Sequence, residues 1–152
     1  GALVGGAIFM RLGTWLQQQL RASGVDPRHL VFELPEDLAT RYLKETKALQ
    51  ALIRPLGFEL AIENFGGGRD PAQLLSHVPI NYVKIDGALM QGLANDRSLQ
   101  EQVKSLVERA KAAGTTTIAE RVEDANTMAV LWQLGVEFVQ GYFVNTPEEV
   151  VM

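Results

Sequence analysis

Residues 58–68 read FELAIENFGGG, an apolar run that ends in a carboxylate, an amide and three glycines. Leu60 and Ile62 are two residues apart, which is the spacing of side chains on one face of a β-strand. The glycines after Phe65 allow the backbone to turn sharply and to approach other groups closely. We therefore predict a buried strand here, followed by a tight turn.

Three other short β-rich runs also end in charged residues. They read Leu30-Val31-Phe32-Glu33, Tyr82-Val83-Lys84-Ile85-Asp86 and Thr116-Thr117-Ile118-Ala119-Glu120. The carboxyl ends of parallel strands share one face in α/β folds, and that face holds the site. Lys84 lies between two apolar residues and should point to the face opposite theirs. The side chains expected to converge are Glu33, Glu63, Lys84 and Glu120.

Strands and helices alternate along the chain, which predicts a parallel sheet with right-handed crossovers. The predicted helices cover 14–23, 37–54, a short segment from Pro71, a segment capped at Asn95, Asp96 or Ser98, and a segment capped by Asp124. A doubly wound sheet and a barrel both fit this order. The charged strand ends favour a barrel, and no strand is followed by a dinucleotide-binding glycine fingerprint. A complete eightfold barrel takes about 250 residues, so a chain of 152 residues predicts an incomplete one.

Composition excludes several classes of protein. The chain is 47% hydrophobic, enough for a core, and its net charge of −4 argues against a general nucleic-acid-binding surface. It has no cysteine, so disulfides and thiolate chemistry are excluded. The longest apolar run, 5–10, is far shorter than the roughly 20 residues of a membrane helix, so we expect no membrane insertion. The chain begins abruptly at Gly1, and we expect the first part of the barrel to lie upstream of it.

The predicted cluster suits two kinds of ligand. Glu33, Glu63 and Glu120 could ligate a hard divalent cation, and Lys84 could grip a phosphate or neutralise the carboxylates. The alternative is that each carboxylate caps the next helix or pairs with an arginine. Gln140 lies in an apolar final strand and needs hydrogen-bond partners. The residues that follow it, Tyr142, Phe143 and Pro147, could stack on a base or belong to the core.

Five ordered motifs together resemble an EAL domain, the barrel family that hydrolyses or binds cyclic di-GMP. Phe32-Glu33-Leu34-Pro35-Glu36 is similar to the family's E-x-x-E strand end, and Ala61 to Gly68 resembles its D-D-F-G-x-G element. Val83 to Asp86 matches K-I-D, Ala119 to Glu123 resembles A-E-G-V-E, and Val139 to Tyr142 with Pro147 matches Q-G-Y…P. The resemblance implies that Glu33 is a metal ligand position and that Glu36 steadies the active-site loop.

The departures from the family pattern decide the predicted function. Glu63 and Asn64 replace the two adjacent aspartates, and Arg121 replaces the glycine of A-E-G-V-E. Two-metal hydrolysis needs cations about 3.5–4 Å apart, neutralised by several carboxylates. Asn64 removes one negative charge from that place and Glu63 displaces another by one methylene. We therefore predict no catalytic residues and no required metal, with Glu33, Glu63 and Glu120 as vestigial ligand positions.

The resemblance then implies a receptor like the degenerate EAL domains of FimX-type proteins. Such proteins bind cyclic di-GMP and regulate type IV pilus assembly and twitching through a PilZ-domain partner. The ligand-binding residues it implies are Glu33, Asn64, Phe65, Gly66, Lys84, Asp86, Glu120, Arg121, Gln140, Gly141 and Pro147. The alternatives are an active phosphodiesterase and an interaction domain without a nucleotide ligand. For each reading we expect a cytoplasmic bacterial protein.

Overall fold

The computed structural model describes residues 30–143 and 146–151, with side chains up to residue 141. The predicted helix over 14–23 lies outside the described residues, as do the side chains of Tyr142, Phe143 and Pro147. No helix within the described ranges is long and apolar enough to cross a membrane.

In the described part of the chain, six strands form one sheet, and their order in the sheet is their order in the chain. They are β1 (Val31–Pro35), β2 (Glu59–Phe65), β3 (Tyr82–Ile85), β4 (Thr116–Val122), β5 (Phe138–Phe143) and β6 (Thr146–Val151). Strands β1 to β5 are all parallel, as the alternation of elements predicts. Strand β6 was not predicted: it folds back antiparallel to β5, so that Gly141 faces Glu148. Glu148 and Glu149 are therefore part of the sheet.

Helices connect the parallel strands. They are α1 (Glu36–Arg41), α2 (Leu43–Ile53), α3 (Pro71–His77), α4 (Arg97–Ala112) and α5 (Ala125–Gln133). The single helix predicted over 37–54 is thus wrong in one respect, because the helical dihedrals break at Tyr42, with φ −113° and ψ 52°. Thr46 compensates for the break, since its buried hydroxyl donates to the carbonyl oxygens of Ala39 and Tyr42.

Aspartates begin three of these helices. Asp70, Asp96 and Asp124 each accept a hydrogen bond from the backbone N–H three residues later, at the starts of α3, α4 and α5. Such a cap satisfies one of the free N–H groups of the first turn. The structure therefore selects Asp96 among the three capping residues considered for α4 and confirms Asp124 for α5.

Alternation along the strands separates an apolar face from a polar face. Leu60, Ile62 and Val83 are fully buried and pack with the helices in one cluster, and Ala119 and Val139 are buried in a second. Because neighbouring strand residues point to opposite faces, the residues between these project away from the helices. The sheet thus presents Glu33, Glu63, Lys84, Glu120 and Gln140 on its other face.

Candidate functional site

Lys84 lies at the centre of the charged cluster. Its Nζ is 2.5 Å from Glu33 Oε1 and 3.2 Å from Glu120 Oε1, so the lysine bridges β1 and β4 from its place on β3. Glu63 on β2 shares a side-chain hydrogen bond with Glu33. The structure therefore brings together the four side chains expected to converge, because the carboxyl ends of four parallel strands meet there.

The contacts shift the proton affinities of these groups in different directions. The hydrogen bond from Lys84, followed by that with Glu63, lowers the pKa of Glu33. The hydrogen bond with Glu33 raises the pKa of Glu63, and burial adds to it. Burial acts against the charged form of Lys84, but its bonds to Glu33 and Glu120 outweigh burial and its pKa is raised. Lys84 thus stays protonated, and the raised pKa of Glu63 means that it takes a proton more readily than Glu33 does.

The turn after β2 is held by Glu36, the first residue of α1. Its Oε2 accepts from the backbone N–H of Gly66 at 2.6 Å and its Oε1 from that of Gly68 at 2.9 Å. Glu36 is only 4% exposed. Burial raises its pKa, and the two N–H donors only partly oppose this effect. The arrangement matches the loop-steadying role that the resemblance implies for this glutamate.

Close approach explains the glycines of this turn. A Cβ on Gly68 would collide with the Glu36 carboxylate, and one on Gly67 would collide with the carboxylate of Asp86. Gly66 also has a φ of +98°, which a residue with a side chain rarely adopts. The turn therefore depends on glycine for both space and conformation.

Among the described residues, two that are not glycine also adopt left-handed backbone conformations. Asn64 has a φ of 55° and Arg121 a φ of 58°. Each lies where a strand pairing shifts register, between Ile62 and Phe65 in β2 and between Ala119 and Val122 in β4. Asparagine tolerates this conformation, whereas for most residues it costs roughly 1–2 kcal/mol.

A cleft of about 430 Å³ opens beside the cluster. It is lined by Glu63, Asn64, Lys84, Ile85, Gly87, Met90, Glu120 and Arg121. Volumes of roughly 300–1,000 Å³ are typical of small-molecule sites. Gln140 lies in an adjoining hollow of about 290 Å³, which Glu120 also lines. Gly87 and Met90 were not predicted as lining residues, although their place directly after the charged end of β3 points to the same face.

Four other residues predicted to bind ligand do not line the cleft or the adjoining hollow. Phe65 is 1% exposed and packs in the core, and the N–H of Gly66 is already donated to Glu36. The Asp86 side chain accepts from the N–H of Ala88 and caps a short 3₁₀ turn. Gly141 is buried within β5, and the Pro147 side chain lies outside the described atoms. Phe65 and Gly66 are thus engaged in shaping the turn.

The carboxylates are held by Lys84 and by each other. In the described part of the chain, no three carboxylate or imidazole side chains are grouped as a metal site requires. Glu33, Glu63 and Glu120 are the carboxylates of the cluster, and a cation there would have to compete with Lys84 for two of them. The cluster carries a net charge of −2 when all four groups are ionised.

A family model for the EAL domain matches residues 9–147, which is most of the chain. The chain belongs to the EAL family. Among solved structures, the EAL domain of FimX from Pseudomonas aeruginosa bound to c-di-GMP is 34% identical, with a TM-score of 0.83 over 94% of this chain and 60% of that one. The FimX EAL domain of Xanthomonas citri in complex with c-diGMP is 30% identical, with a TM-score of 0.78 over 92% and 55% of the two chains.

A curated relative in this EAL family is an enzyme. The cyclic di-GMP phosphodiesterase PdeB of Shewanella oneidensis is 31% identical over 127 residues, which are 78% of this chain and 15% of the relative. This EAL chain thus spans less than a fifth of that relative's length. The structural likeness confirms the predicted fold class: an α/β fold of the EAL barrel type, of which the described residues form part.

Proposed function

We propose that this EAL domain is a cyclic di-GMP receptor without phosphodiesterase activity. The observation that carries the proposal is the charge balance of the cleft, whose lysine, Lys84, is ion-paired to Glu33 and Glu120. A neutral amide, Asn64, lines the same cleft where the family pattern has an aspartate. The cleft therefore has a fixed cation and is one carboxylate short of the family pattern.

The loss of hydrolysis follows from charge. Two-metal catalysis holds dications roughly 3.5–4 Å apart, and carboxylates must offset their repulsion. Lys84 belongs to the family's K-I-D pattern, so the difference lies at Asn64, which supplies no carboxylate where the family pattern has an aspartate. Glu63 reaches one methylene farther than an aspartate, and a 1 Å misplacement can lower a rate about a hundredfold.

Binding of the ligand does not require the carboxylates that two-metal catalysis requires. The Lys84 side chain is 22% exposed, so its ammonium is accessible from the cleft and can donate to a phosphate oxygen. Gln140 lines the adjoining hollow, where its amide can donate to or accept from a guanine edge. The FimX domains to which the chain is similar were crystallised with c-di-GMP, which supports the same ligand here.

Isothermal titration calorimetry with cyclic di-GMP, in buffer containing either Mg²⁺ or EDTA, tests the proposal. We expect dissociation constants that agree within about threefold, because no step of binding is assigned to a metal. Chromatography of the nucleotide after incubation with Mg²⁺ or Mn²⁺ should recover it intact. Binding that EDTA abolishes, or cleavage to the linear dinucleotide at the rate of an ordinary phosphodiesterase, would refute the proposal.

An active phosphodiesterase is the second candidate, favoured by the likeness to PdeB. The two proposals differ in one measurement, metal-dependent production of the linear dinucleotide. An interaction domain without nucleotide is the third reading, and a flat titration in both buffers would favour it.

For the receptor we propose a protein partner, namely a PilZ-domain protein in type IV pilus or twitching regulation. This part rests on the likeness to FimX-type domains. Met128 is only 6% exposed and Trp132 packs against the buried cluster that contains it, so these two helix residues offer little surface to a partner. Pull-down of a PilZ-domain protein, with and without cyclic di-GMP, tests the partnership, and no complex at micromolar concentrations in either condition would refute it.

A further inference from the structure

Arg121 stands out because its backbone is strained while the structure shows no local benefit. Its neighbours Ala119 and Val122 are buried in the core, but the Arg121 side chain is exposed. In the described chain its guanidinium forms no ion pair and no side-chain hydrogen bond. A residue held in a sparsely populated conformation without structural contacts suggests a functional constraint.

The location of Arg121 supplies a function for that strain. The residue lines the 430 Å³ cleft and also a second cleft of about 670 Å³, between residues 90–95 and residues 121–127. Only Met90 and Arg121 are common to both linings. Arg121 therefore lies at the junction of the two clefts, where a ligand that occupies both would meet it.

The charges of the lining residues identify what the guanidinium can bind. Lys84 and Arg121 are the only cationic residues in the two linings, and Lys84 is committed to two carboxylates. Glu63 and Glu120 on the floor, with Glu123 and Asp124 in the second cleft, would repel an anionic ligand. A dianionic cyclic dinucleotide needs a cation that is free to pair, and the exposed Arg121 carries such a charge.

We propose that Arg121 is a ligand-binding residue that pairs with a phosphodiester group of the bound cyclic dinucleotide, at the junction of the two clefts. The inference rests on the proposed receptor function and deepens it. Arg121 supplies the positive charge that Lys84 cannot offer alone, because Lys84 also has to neutralise Glu33 and Glu120. The backbone strain is then tolerated because the left-handed conformation places the guanidinium at that junction.

Three variants of the full protein test the inference by calorimetry with cyclic di-GMP at low and high salt. Arg121→Gly removes the guanidinium and should weaken binding at least tenfold, the effect of one charge-assisted hydrogen bond. Arg121→Lys keeps the charge, so its dissociation constant should stay within about threefold of that of the unsubstituted protein. If Arg121 instead contacted a guanine through its planar guanidinium, Arg121→Lys would lose as much affinity as Arg121→Gly. Arg109→Gln removes an exposed arginine on α4 and should bind like the unsubstituted protein.

A second readout separates ligand binding from a structural role. Glycine accepts the left-handed conformation without strain, so Arg121→Gly should melt at the same temperature as the unsubstituted protein or a few degrees higher. Weaker binding by a protein that is no less stable supports the inference. If Arg121→Gly binds cyclic di-GMP as tightly as the unsubstituted protein, this inference is overturned and the proposed function stands. The same holds if Arg121→Lys and Arg121→Gly lose equal affinity. A flat titration of the unsubstituted protein would overturn the proposed function and this inference with it.

Discussion

Replacing Glu36 by glutamine should destabilise the protein through the glycine turn. The carboxylate of Glu36 accepts from two backbone donors, Gly66 N–H at 2.6 Å and Gly68 N–H at 2.9 Å. Glutamine is nearly the same size but has one acceptor oxygen and one NH₂ group. Whichever way the amide is oriented, one of the two N–H groups loses its acceptor and faces another donor.

The size of the effect follows from these contacts. A buried donor left without a partner costs about 1–3 kcal/mol. Burying a neutral amide is easier than burying a carboxylate, and the raised pKa of Glu36 shows that burial already acts against its charge. We therefore expect a net loss near 2 kcal/mol, which lowers the melting temperature by about 4–8 °C in a domain of this size.

Thermal unfolding followed by circular dichroism measures the global loss, and amide hydrogen exchange locates it. The N–H groups of Gly66 and Gly68 should exchange faster in Glu36→Gln than in the unsubstituted protein. Glu108→Gln is the matched control, because Glu108 is an exposed glutamate on α4. If Glu36→Gln melts within about 1 °C of that control and leaves the exchange of both glycines unchanged, Glu36 does not hold the turn.

Three further predictions concern the cleft and the helix that begins beside it. Lys84→Met should raise the pKa of Glu33, because the hydrogen bond from Lys84 is the strongest contact that lowers it. Carboxyl NMR titration measures this shift, and an unchanged Glu33 pKa would contradict the ion pair. The same variant should weaken cyclic di-GMP binding by about 1–3 kcal/mol in calorimetry. Unchanged affinity would show that Lys84 does not bind the ligand. Asp124→Ala should cost about 1 kcal/mol at neutral pH in urea unfolding, since Asp124 caps α5. Hydrogen bonds from Thr127 lower the pKa of Asp124. The stabilisation that Asp124 provides is therefore fully present above the ordinary pKa of about 3.9, and it is lost as the pH falls through the lowered value. If Asp124→Ala still destabilised the protein in strong acid, the ionised cap would be contradicted.

Sequence reasoning succeeded where one physical rule determined the outcome. The convergence of Glu33, Glu63, Lys84 and Glu120 followed from two facts, the alternation of side chains along a strand and the shared face of parallel strand ends. The cap at Asp124 followed from a side-chain acceptor placed just before an apolar periodic run, whereas Asp96 was one of three capping residues considered for α4. These signals are local, so they can be read without knowledge of tertiary packing.

The misses depended on contacts between distant parts of the chain. The break at Tyr42 leaves the apolar pattern of the helix intact, and what compensates for it is a buried hydroxyl on Thr46. Strand β6 carries Pro147 and two glutamates, so its composition does not indicate a strand. The left-handed conformation of Arg121 had one usable signal, namely that the family pattern places a glycine there.

The order of the strands has a consequence for how the chain folds. Among the six described strands, each pairs only with the strand directly before or after it in the chain. Each addition to the sheet therefore closes a loop of one helix and its two connections, which keeps the entropy lost in each step small. Growth can proceed one strand and helix at a time, with the β5–β6 hairpin as its most local step. Such a sheet has low contact order for a parallel architecture, which favours fast folding and lets its units open separately in hydrogen exchange.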